Sequence, residues 1–161
     1  NILLLSKIEH QAIQTRQNWY RLDEQIRQSI VMMEPKWSEK EIEFDVDMMD
    51  VEYLGNENLI CHVWDNLLSN AIKFSPCGGT IYIRMMPEGE KIRFSIENEG
   101  PQISEYSMKH IFDKFYQGDS SHKQEGNGLG LALVKQILNL CKGTVSVKNI
   151  PGSGCRFTVI L

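Results

Sequence analysis

Three glycines alternate with other residues just before an apolar, helix-like stretch. They are Gly126, Gly128 and Gly130, in the segment EGNGLGLALVKQIL over residues 125–138. Glycine gives the backbone access to positive φ angles and lets it approach a ligand closely. A helix N-terminus adds unpaired N–H groups and partial positive charge, which together favour phosphate. This stretch alone therefore predicts either a phosphate-binding loop or a flexible hinge that leads into a helix.

A second group of polar residues lies on a predicted helix over residues 59–74. Asn66, Asn70 and Lys73 are spaced so that they share one face of that helix. Most of the remaining surface is apolar, so the helix is expected to be buried and its polar side chains need partners. The face is either an ordinary solvated stripe or a site with an oxygen ligand for Mg²⁺ beside donors for phosphate oxygens.

These residues must be positioned by elements that the sequence also predicts. Apolar periodicity indicates helices over residues 1–17, 22–33, 59–74, 105–112 and from the glycine run to about 141, with Pro35 breaking or bending the second. Alternation indicates strands over residues 41–48, 80–86, 91–98, 143–149 and 154–161, with PEGE and IPGSG as hairpin turns. The mixture predicts an α+β fold, a two-layer sandwich with helices on one face of a mixed, mostly antiparallel sheet.

The composition excludes several classes of protein. The net charge of −4 does not fit the basic stripe of a nucleic-acid surface, so no nucleic-acid partner is expected. The four cysteines form no C-x-x-C pair, which favours reduced, mostly packed thiols in a cytosolic domain over zinc or disulfides. No apolar run approaches the roughly 20 residues that span a bilayer. The length suits one domain with or without an appendage, and because the chain begins at Asn1 we expect a fragment of a longer protein.

The glycine spacing separates this chain from other phosphate-binding proteins. No G-x-x-x-x-G-K-[ST] segment occurs, which excludes a Walker-type P-loop. The glycines follow G-x-G-x-G after a polar stretch, whereas a dinucleotide-binding fold has G-x-G-x-x-G after a strand. The H-R-D and D-F-G segments of protein kinases are also absent.

Four short blocks, NLLSNAIKF, ENEGPQI, IFDKFYQGD and GNGLGLALVKQI, follow one another along the chain. In this order they resemble the N box, first glycine box, F box and second glycine box of the ATP-binding domain of bacterial sensor histidine kinases, within the Bergerat-fold (GHKL) ATPases. GSGCRFTV is similar to the last glycine element of that domain. The resemblance covers about residues 20–161, and ILLLSKIE resembles the end of the second helix of the family's dimerisation domain. It implies that helix end over residues 1–17 and the catalytic domain over residues 18–161.

The resemblance also implies roles for individual residues. Asn70 would coordinate Mg²⁺, with Asn66 and Lys73 near the phosphates of ATP. Residues 113–127 would form a mobile lid over the nucleotide. Asp65 lies next to Asn66 and is either a catalytic residue that assists an incoming histidine or an ordinary acid of the helix. Phe112 and Phe115 are equally compatible with an ordinary core. The residues implied in nucleotide binding are Asn70, Lys73, Phe74, Asn98, Gly100, Phe115, Gly126, Gly128, Leu129, Gly130 and Leu131.

Three positions depart from the pattern of the family or its relatives. Asn98 stands where the family usually has an aspartate that accepts a hydrogen bond from adenine, and an amide lacks the charge assistance of a carboxylate. We therefore expect ATP to bind with reduced affinity. Gln102 replaces a glycine and is expected to stiffen its loop. Asn66 stands where related ATPases have a water-activating glutamate, and an amide cannot take a proton at neutral pH, which favours transfer over hydrolysis.

The resemblance implies a protein-histidine kinase domain that moves the γ-phosphoryl group of ATP to a histidine of a dimerisation domain, for relay to a response regulator aspartate. His10, His62, His110 and His122 all lack the sequence context of the family's acceptor, so we expect the acceptor outside this fragment. The parent is expected to be a homodimeric protein of the bacterial plasma membrane with this domain in the cytoplasm. Two alternatives stay open: a degenerate Bergerat-fold domain that acts by protein contacts, and a GHKL ATPase or serine kinase.

Overall fold

The computed structural model describes residues 2–9, 16–117 and 128–161. In chain order its elements are α1 (Ile2–Glu9), β1 (Asn18–Arg21), α2 (Leu22–Met32), α3 (Glu34–Glu39), β2 (Glu43–Met48), β3 (Glu52–Gly55), α4 (Glu57–Phe74), β4 (Thr80–Glu88), β5 (Lys91–Asn98), α5 (Glu105–His110), α6 (Gly130–Leu140), β6 (Thr144–Asn149) and β7 (Cys155–Ile160). Most of these elements coincide with segments that periodicity predicts.

Five strands form the main sheet in the order β2-β4-β5-β7-β6. β2 runs parallel to β4, and the three other neighbouring pairs are antiparallel. β1 and β3 pair antiparallel in a separate two-stranded sheet. The predicted α+β architecture with a mixed, mostly antiparallel sheet is therefore confirmed.

One face of the main sheet is buried beneath the helices. Along β4 and β5, fully buried side chains alternate with half-buried ones, as the two-residue period of a strand requires. Trp64 of α4 and Phe94 of β5 are both fully buried, and their ring centroids lie 4.7 Å apart. Burying a large apolar side chain stabilises the fold by about 1.5–3 kcal/mol. This layer therefore holds α4 against the sheet.

The N-terminal end of α4 is fixed by two side chains. The side-chain oxygen of Asn56 accepts a hydrogen bond from the Leu59 N–H group at 3.0 Å and so caps the helix. Gln25 of α2 donates to the Glu57 carbonyl at 2.8 Å and accepts from the indole N–H group of Trp64 at 2.8 Å. Because these buried polar groups satisfy one another, α2 and α4 are held in one relative position.

The C-terminal end of α4 is held by a single lysine. Nζ of Lys40 donates to the carbonyls of Ile72, Lys73 and Ser75 at 2.7, 3.1 and 2.5 Å. The ammonium group satisfies carbonyls that have no partner within the helix, and its charge opposes the partial negative charge of the helix end. No sequence motif indicates this contact, because Lys40 lies 33 residues from Lys73 along the chain.

A buried carboxylate anchors the corner between β1 and α2. Asp23 is fully buried and accepts hydrogen bonds from Arg21 at 2.8 and 2.7 Å, from Arg27 at 2.6 Å and from the Val51 N–H group at 3.2 Å. The hydrogen bond from Arg21 is the largest cause that holds the pKa of Asp23 well below its usual range. The corner is therefore stabilised by a charge-assisted network.

The beginning of the chain differs from the expectation. The helix expected over residues 1–17 is observed as α1, residues 10–15 lie outside the described part of the chain, and residues 16 and 17 are not helical. The two-stranded sheet of β1 and β3 is not predicted at all. Strands of four residues are too short to show a clear period, and cross-strand pairs such as Trp19 with Leu54 form only in the folded protein.

Smaller differences concern the ends of helices. α2 ends at Met32, and Pro35 lies in the first turn of α3, where its missing N–H group costs no helical hydrogen bond. α4 begins two residues before the predicted position 59, and α5 ends two residues before position 112. Within the described ranges, no helix has both the length and the apolar character needed to cross a membrane.

Candidate functional site

The polar face of α4 meets the beginning of α6. Asn66 donates from Nδ2 to the His62 carbonyl at 2.7 Å, and its Oδ1 faces Gly130. A Cβ atom at position 130 would lie 2.7 Å from that oxygen, which is closer than real contacts allow. Any other residue here would therefore force the Asn66 side chain to shift. The contact joins the first and the last of the four blocks recognised in the sequence.

Two further polar residues follow Asn66 along the same face of α4. Asn70 lies one turn further on and Lys73 about two turns, and both are half-buried. The ammonium group of Lys73 lies 5.3 Å from the ring centroid of Phe74, which is also half-buried. Asp65, one position before Asn66, is half-buried at the border of this face. α4 therefore presents amide, ammonium and carboxylate groups within three turns.

β5 ends in a buried asparagine. Asn98 is 2% exposed, and its Nδ2 donates to the Glu99 carbonyl at 2.9 Å. Its Oδ1 lies 3.7 Å from Sγ of Cys155, the directly opposite residue on β7. Burial raises the pKa of the Cys155 thiol to about 11, and the charge of Glu97 adds to this effect. The thiol is therefore protonated at neutral pH, and it donates to the amide oxygen.

A glycine brings the end of α4 to the end of β5. Gly100 has a φ of +135°, which favours glycine. A Cβ atom at this position would lie 2.5 Å from the carbonyl oxygen of Phe74 and 3.7 Å from Nδ2 of Asn98. The structure therefore brings together three residues that the resemblance assigned to one nucleotide site.

Phe115 and Gly128 meet on either side of residues 118–127. The Phe115 N–H group donates to the Gly128 carbonyl at 3.0 Å. Gly128 has a φ of +73°, and a Cβ atom there would lie 2.5 Å from the carbonyl carbon of Phe115. Phe115 is 61% exposed and is not a core residue, whereas Phe112 is half-buried and packs edge-on against Phe157 at 6.2 Å. The two ends of this segment are therefore held side by side.

The remaining predicted residues lie at the beginning of α6 and in the expected lid. Leu129 is fully buried, and Leu131 is half-buried against the core. Of the expected lid over residues 113–127, residues 113–117 are described. Residues 118–127, which include Gly126, lie outside the described part of the chain.

Two amide side chains fix the loop after β5, and sequence patterns identify only the first of them. Gln102, which was expected to stiffen this loop, donates from Nε2 to the Ile150 carbonyl at 3.0 Å. The Asn149 side chain accepts from the N–H group of Ile103 and donates to its carbonyl, both at 2.8 Å. These bonds tie the segment next to Gly100 to the turn between β6 and β7.

Comparison with known proteins places this arrangement in a family. Residues 55–161 match the model of the histidine kinase-, DNA gyrase B- and HSP90-like ATPases. The chain belongs to this family. The matched range contains α4, β5 and α6, which carry the residues described above. The resemblance to the Bergerat-fold ATPases is therefore confirmed.

Within this family, the chain is similar to individual sensor proteins and sensor histidine kinases. The chain is 32% identical over 158 residues to the heme sensor protein HssS of Staphylococcus saprophyticus, covering 98% of this chain and 34% of that protein. The mycobacterial sensor histidine kinase MprB superposes with a TM-score of 0.81 at 26% identity, covering 91% of this chain and 97% of that chain. Full-length ShkA in complex with AMPPNP superposes with a TM-score of 0.85 at 26% identity, covering 99% of this chain and 34% of that chain.

These comparisons identify the chain as an ATP-binding kinase domain of the sensor histidine kinase class. It spans about a third of the length of the curated relatives it matches.

Proposed function

We propose that this domain binds ATP with Mg²⁺ and transfers the γ-phosphoryl group to a histidine in a dimerisation domain of the same protein. In this step the bond between the γ-phosphorus and the bridging oxygen of ADP breaks, and a bond to a ring nitrogen of the histidine forms. The phosphoryl group would then pass to an aspartate of a response regulator.

The contact between Asn66 and Gly130 carries this proposal. It joins the polar face of α4 to the N-terminal end of α6, where N–H groups and partial positive charge favour phosphate. The N-cap residue of α6 is Leu129, whose apolar side chain cannot cap the first turn. A triphosphate between the two helices would receive donors from both, with the ammonium group of Lys73 on the same face of α4.

We assign Mg²⁺ to the side-chain oxygen of Asn70. Mg²⁺ takes few protein oxygens, several water molecules and the phosphates of its substrate, and an amide oxygen suits this requirement. Among the described residues no cluster of three His, Cys, Asp or Glu side chains offers a competing metal site. When bound, Mg²⁺ supplies positive charge that neutralises the triphosphate. Asn66 and Lys73 would then orient the phosphate oxygens.

We assign the adenine to the end of β5. Oδ1 of Asn98 has acceptor capacity beyond its weak bond with the Cys155 thiol, so it can accept from the adenine amino group. Gly100 keeps the neighbouring backbone free of a side chain. The rings of Phe74 and Phe115 would supply aromatic surface against the base.

The side chain at position 66 favours transfer over hydrolysis. Phosphoryl transfer requires positioning and charge neutralisation more than covalent work by the protein. Hydrolysis by the related ATPases uses a carboxylate base, whereas Asn66 is an amide whose Nδ2 is bonded to the His62 carbonyl. Water therefore lacks a base at this position. We assign the neighbouring Asp65 to assist the incoming histidine.

α1 packs against the rest of the chain, so the division of the chain at about residue 17 rests on the sequence resemblance alone. Leu5 and Ile8 are 2% and 5% exposed, and Glu9 forms an ion pair with Lys114 at 3.0 Å. We assign residues 1–17 to the end of the second dimerisation helix and residues 18–161 to the catalytic domain. The parent protein would be a homodimer at the bacterial plasma membrane with this domain on the cytoplasmic side.

Calorimetric titration with Mg-ATP tests the binding step. We expect Asn70→Ala to abolish measurable binding, because it removes the metal ligand. The matched control is Asn58→Ala, which changes an exposed asparagine on the same helix and should leave the affinity unchanged. Absence of binding by the unmodified chain would favour a degenerate domain that acts by protein contacts alone.

Incubation with [γ-³²P]ATP and a separately supplied dimerisation domain tests the transfer step. We expect an acid-labile, base-stable label on that domain, which is the behaviour of phosphohistidine. A dimerisation domain with its acceptor histidine changed to glutamine is the control. Free phosphate without label would instead indicate an ATPase, and an acid-stable label would indicate a serine kinase.

A further inference from the structure

The last turn of α4 is held by residues that its own helix does not supply. The final carbonyls of a helix have no partner within it. At this end the Ala71 carbonyl accepts from the N–H group and the hydroxyl of Ser75, at 3.0 and 2.7 Å. Nζ of Lys40 donates to three further carbonyls, those of Ile72, Lys73 and Ser75. Phe74 therefore lies between carbonyls that one ammonium group binds.

Lys40 also holds the loop that follows α4. Its own carbonyl accepts from the N–H group of Gly78 at 2.8 Å, and the Gly79 carbonyl accepts from the N–H group of Glu43 at 3.0 Å. Lys40 is half-buried, and its charge opposes the partial negative charge of the helix end. The main chain and the side chain of one residue thus bind both the end of α4 and the loop after it.

A second segment of the candidate site rests on the same turn. A Cβ atom at Gly100 would lie 2.5 Å from the Phe74 carbonyl oxygen, so the loop after β5 packs directly on this peptide group. The side chains of Lys73 and Phe74, which we assign to the nucleotide, leave the backbone in this turn. A shift of the turn would therefore displace the ammonium group of Lys73, the ring of Phe74 and the loop at Gly100 together.

We propose that Lys40 is a positioning residue for the nucleotide, which holds Lys73 and Phe74 in the arrangement that binds ATP. This inference rests on the proposed function and adds to it a residue outside the motif blocks. Lys40 acts through the backbone of α4, because its ammonium group has one N–H donor for each of the carbonyls it binds and none left for a phosphate.

The expected effect follows from the donors that are lost. Lys40→Met keeps an unbranched apolar stem and leaves three carbonyls without their donor. Hydrogen bonds from a charged donor are among the stronger ones in proteins, so the turn should open in a large share of the molecules. Apparent affinity falls in proportion to the fraction of molecules that can bind, and we expect the dissociation constant for Mg-ATP to rise about fivefold or more.

Calorimetric titration of the full chain with Mg-ATP tests the proposal against two control variants. Lys36→Met removes the same charge from an exposed position on α3, so it measures the effect of net charge alone. Asn56→Ala removes the cap at the opposite end of α4, so it measures the effect of a less stable helix. We expect the dissociation constant to rise in Lys40→Met and to change little in both controls.

The pattern among these variants decides the role of Lys40. An unchanged affinity in Lys40→Met would overturn the proposal, and so would an equal loss of affinity in Lys36→Met or in Asn56→Ala. If Lys40→Met shows no thermal transition, Lys40→Gln, which keeps one amide donor, replaces it with the same expected direction. Failure of the unmodified chain to bind Mg-ATP would overturn the proposed function itself, and it is distinguishable because it appears before any variant is compared.

Discussion

Adding a methyl group at position 130 should weaken nucleotide binding and leave the free energy of unfolding nearly unchanged. In Gly130→Ala the new Cβ atom would lie 2.7 Å from Oδ1 of Asn66. Carbon and oxygen repel each other at this distance, so the Asn66 side chain must retreat by at least about 0.3 Å. Because its Nδ2 is held by the His62 carbonyl at 2.7 Å, the movement strains or breaks that bond.

The two contributions to the stability of Gly130→Ala oppose each other. Loss of the Asn66 bond costs about 0.5–1.5 kcal/mol. Replacing glycine by alanine in a helix gains up to about 1 kcal/mol. We therefore expect a nearly unchanged free energy of unfolding. Affinity for Mg-ATP should instead fall about tenfold or more, equivalent to about 1.4 kcal/mol, because the two groups to which we assign the phosphates are displaced.

Denaturant unfolding and calorimetric titration of the same protein measure both quantities. The matched comparison is Gly130→Ala in an Asn66→Ala background, where no side-chain oxygen remains to clash. There the alanine should be stabilising, and the double-mutant cycle gives the cost of the clash directly. A Gly130→Ala protein that binds Mg-ATP with unchanged affinity would refute the inference that the contact between α4 and α6 forms the phosphate site.

Three further predictions concern other contacts. Lys40→Met should lower the free energy of unfolding by about 1–3 kcal/mol in denaturant titrations, because three carbonyls at the end of α4 lose their donor; an unchanged value would contradict the capping role. Asn98→Asp should bind ATP more tightly in calorimetry, because an ionised acceptor makes a stronger bond, and should unfold at a lower temperature, because the bond to the Glu99 carbonyl is lost. The folded-state pKa of Asp23 lies below its unfolded value, so its stabilisation is present above about pH 4 and is lost as pH falls toward the folded pKa. An Asp23→Asn variant should therefore lose stability at neutral pH and show a flatter acid limb in pH-dependent unfolding, and parallel limbs would exclude this residue as the cause.

Local patterns were sufficient to predict most elements and the candidate residues on them. The face with Asn66, Asn70 and Lys73 follows from the 3.6-residue period of a helix, which depends only on neighbours along the chain. The strand pairs around β4, β5, β6 and β7 likewise follow from alternation and turn residues. The resemblance of the ordered blocks then predicted the family correctly.

Contacts between distant segments were not predictable in the same way. Lys40 at the end of α4, Asn149 at the loop after β5, and the short β1–β3 sheet have no periodic pattern that announces them. Each depends on where packing brings two segments that are far apart along the chain. The ends of the helices differed for another reason, because they depend on the local backbone geometry around caps such as Asn56.

The sequence by itself determined the fold class, the family and the residue types available to a nucleotide, because these depend on local period and on ordered motifs. Only the tertiary structure decided how those residues face one another. The closeness of Gly130 to Asn66 depends on how α4 and α6 pack, and the pairing of Asn98 with Cys155 depends on the register of β5 and β7. Such register is set by burial of a whole sheet face, which no single segment encodes.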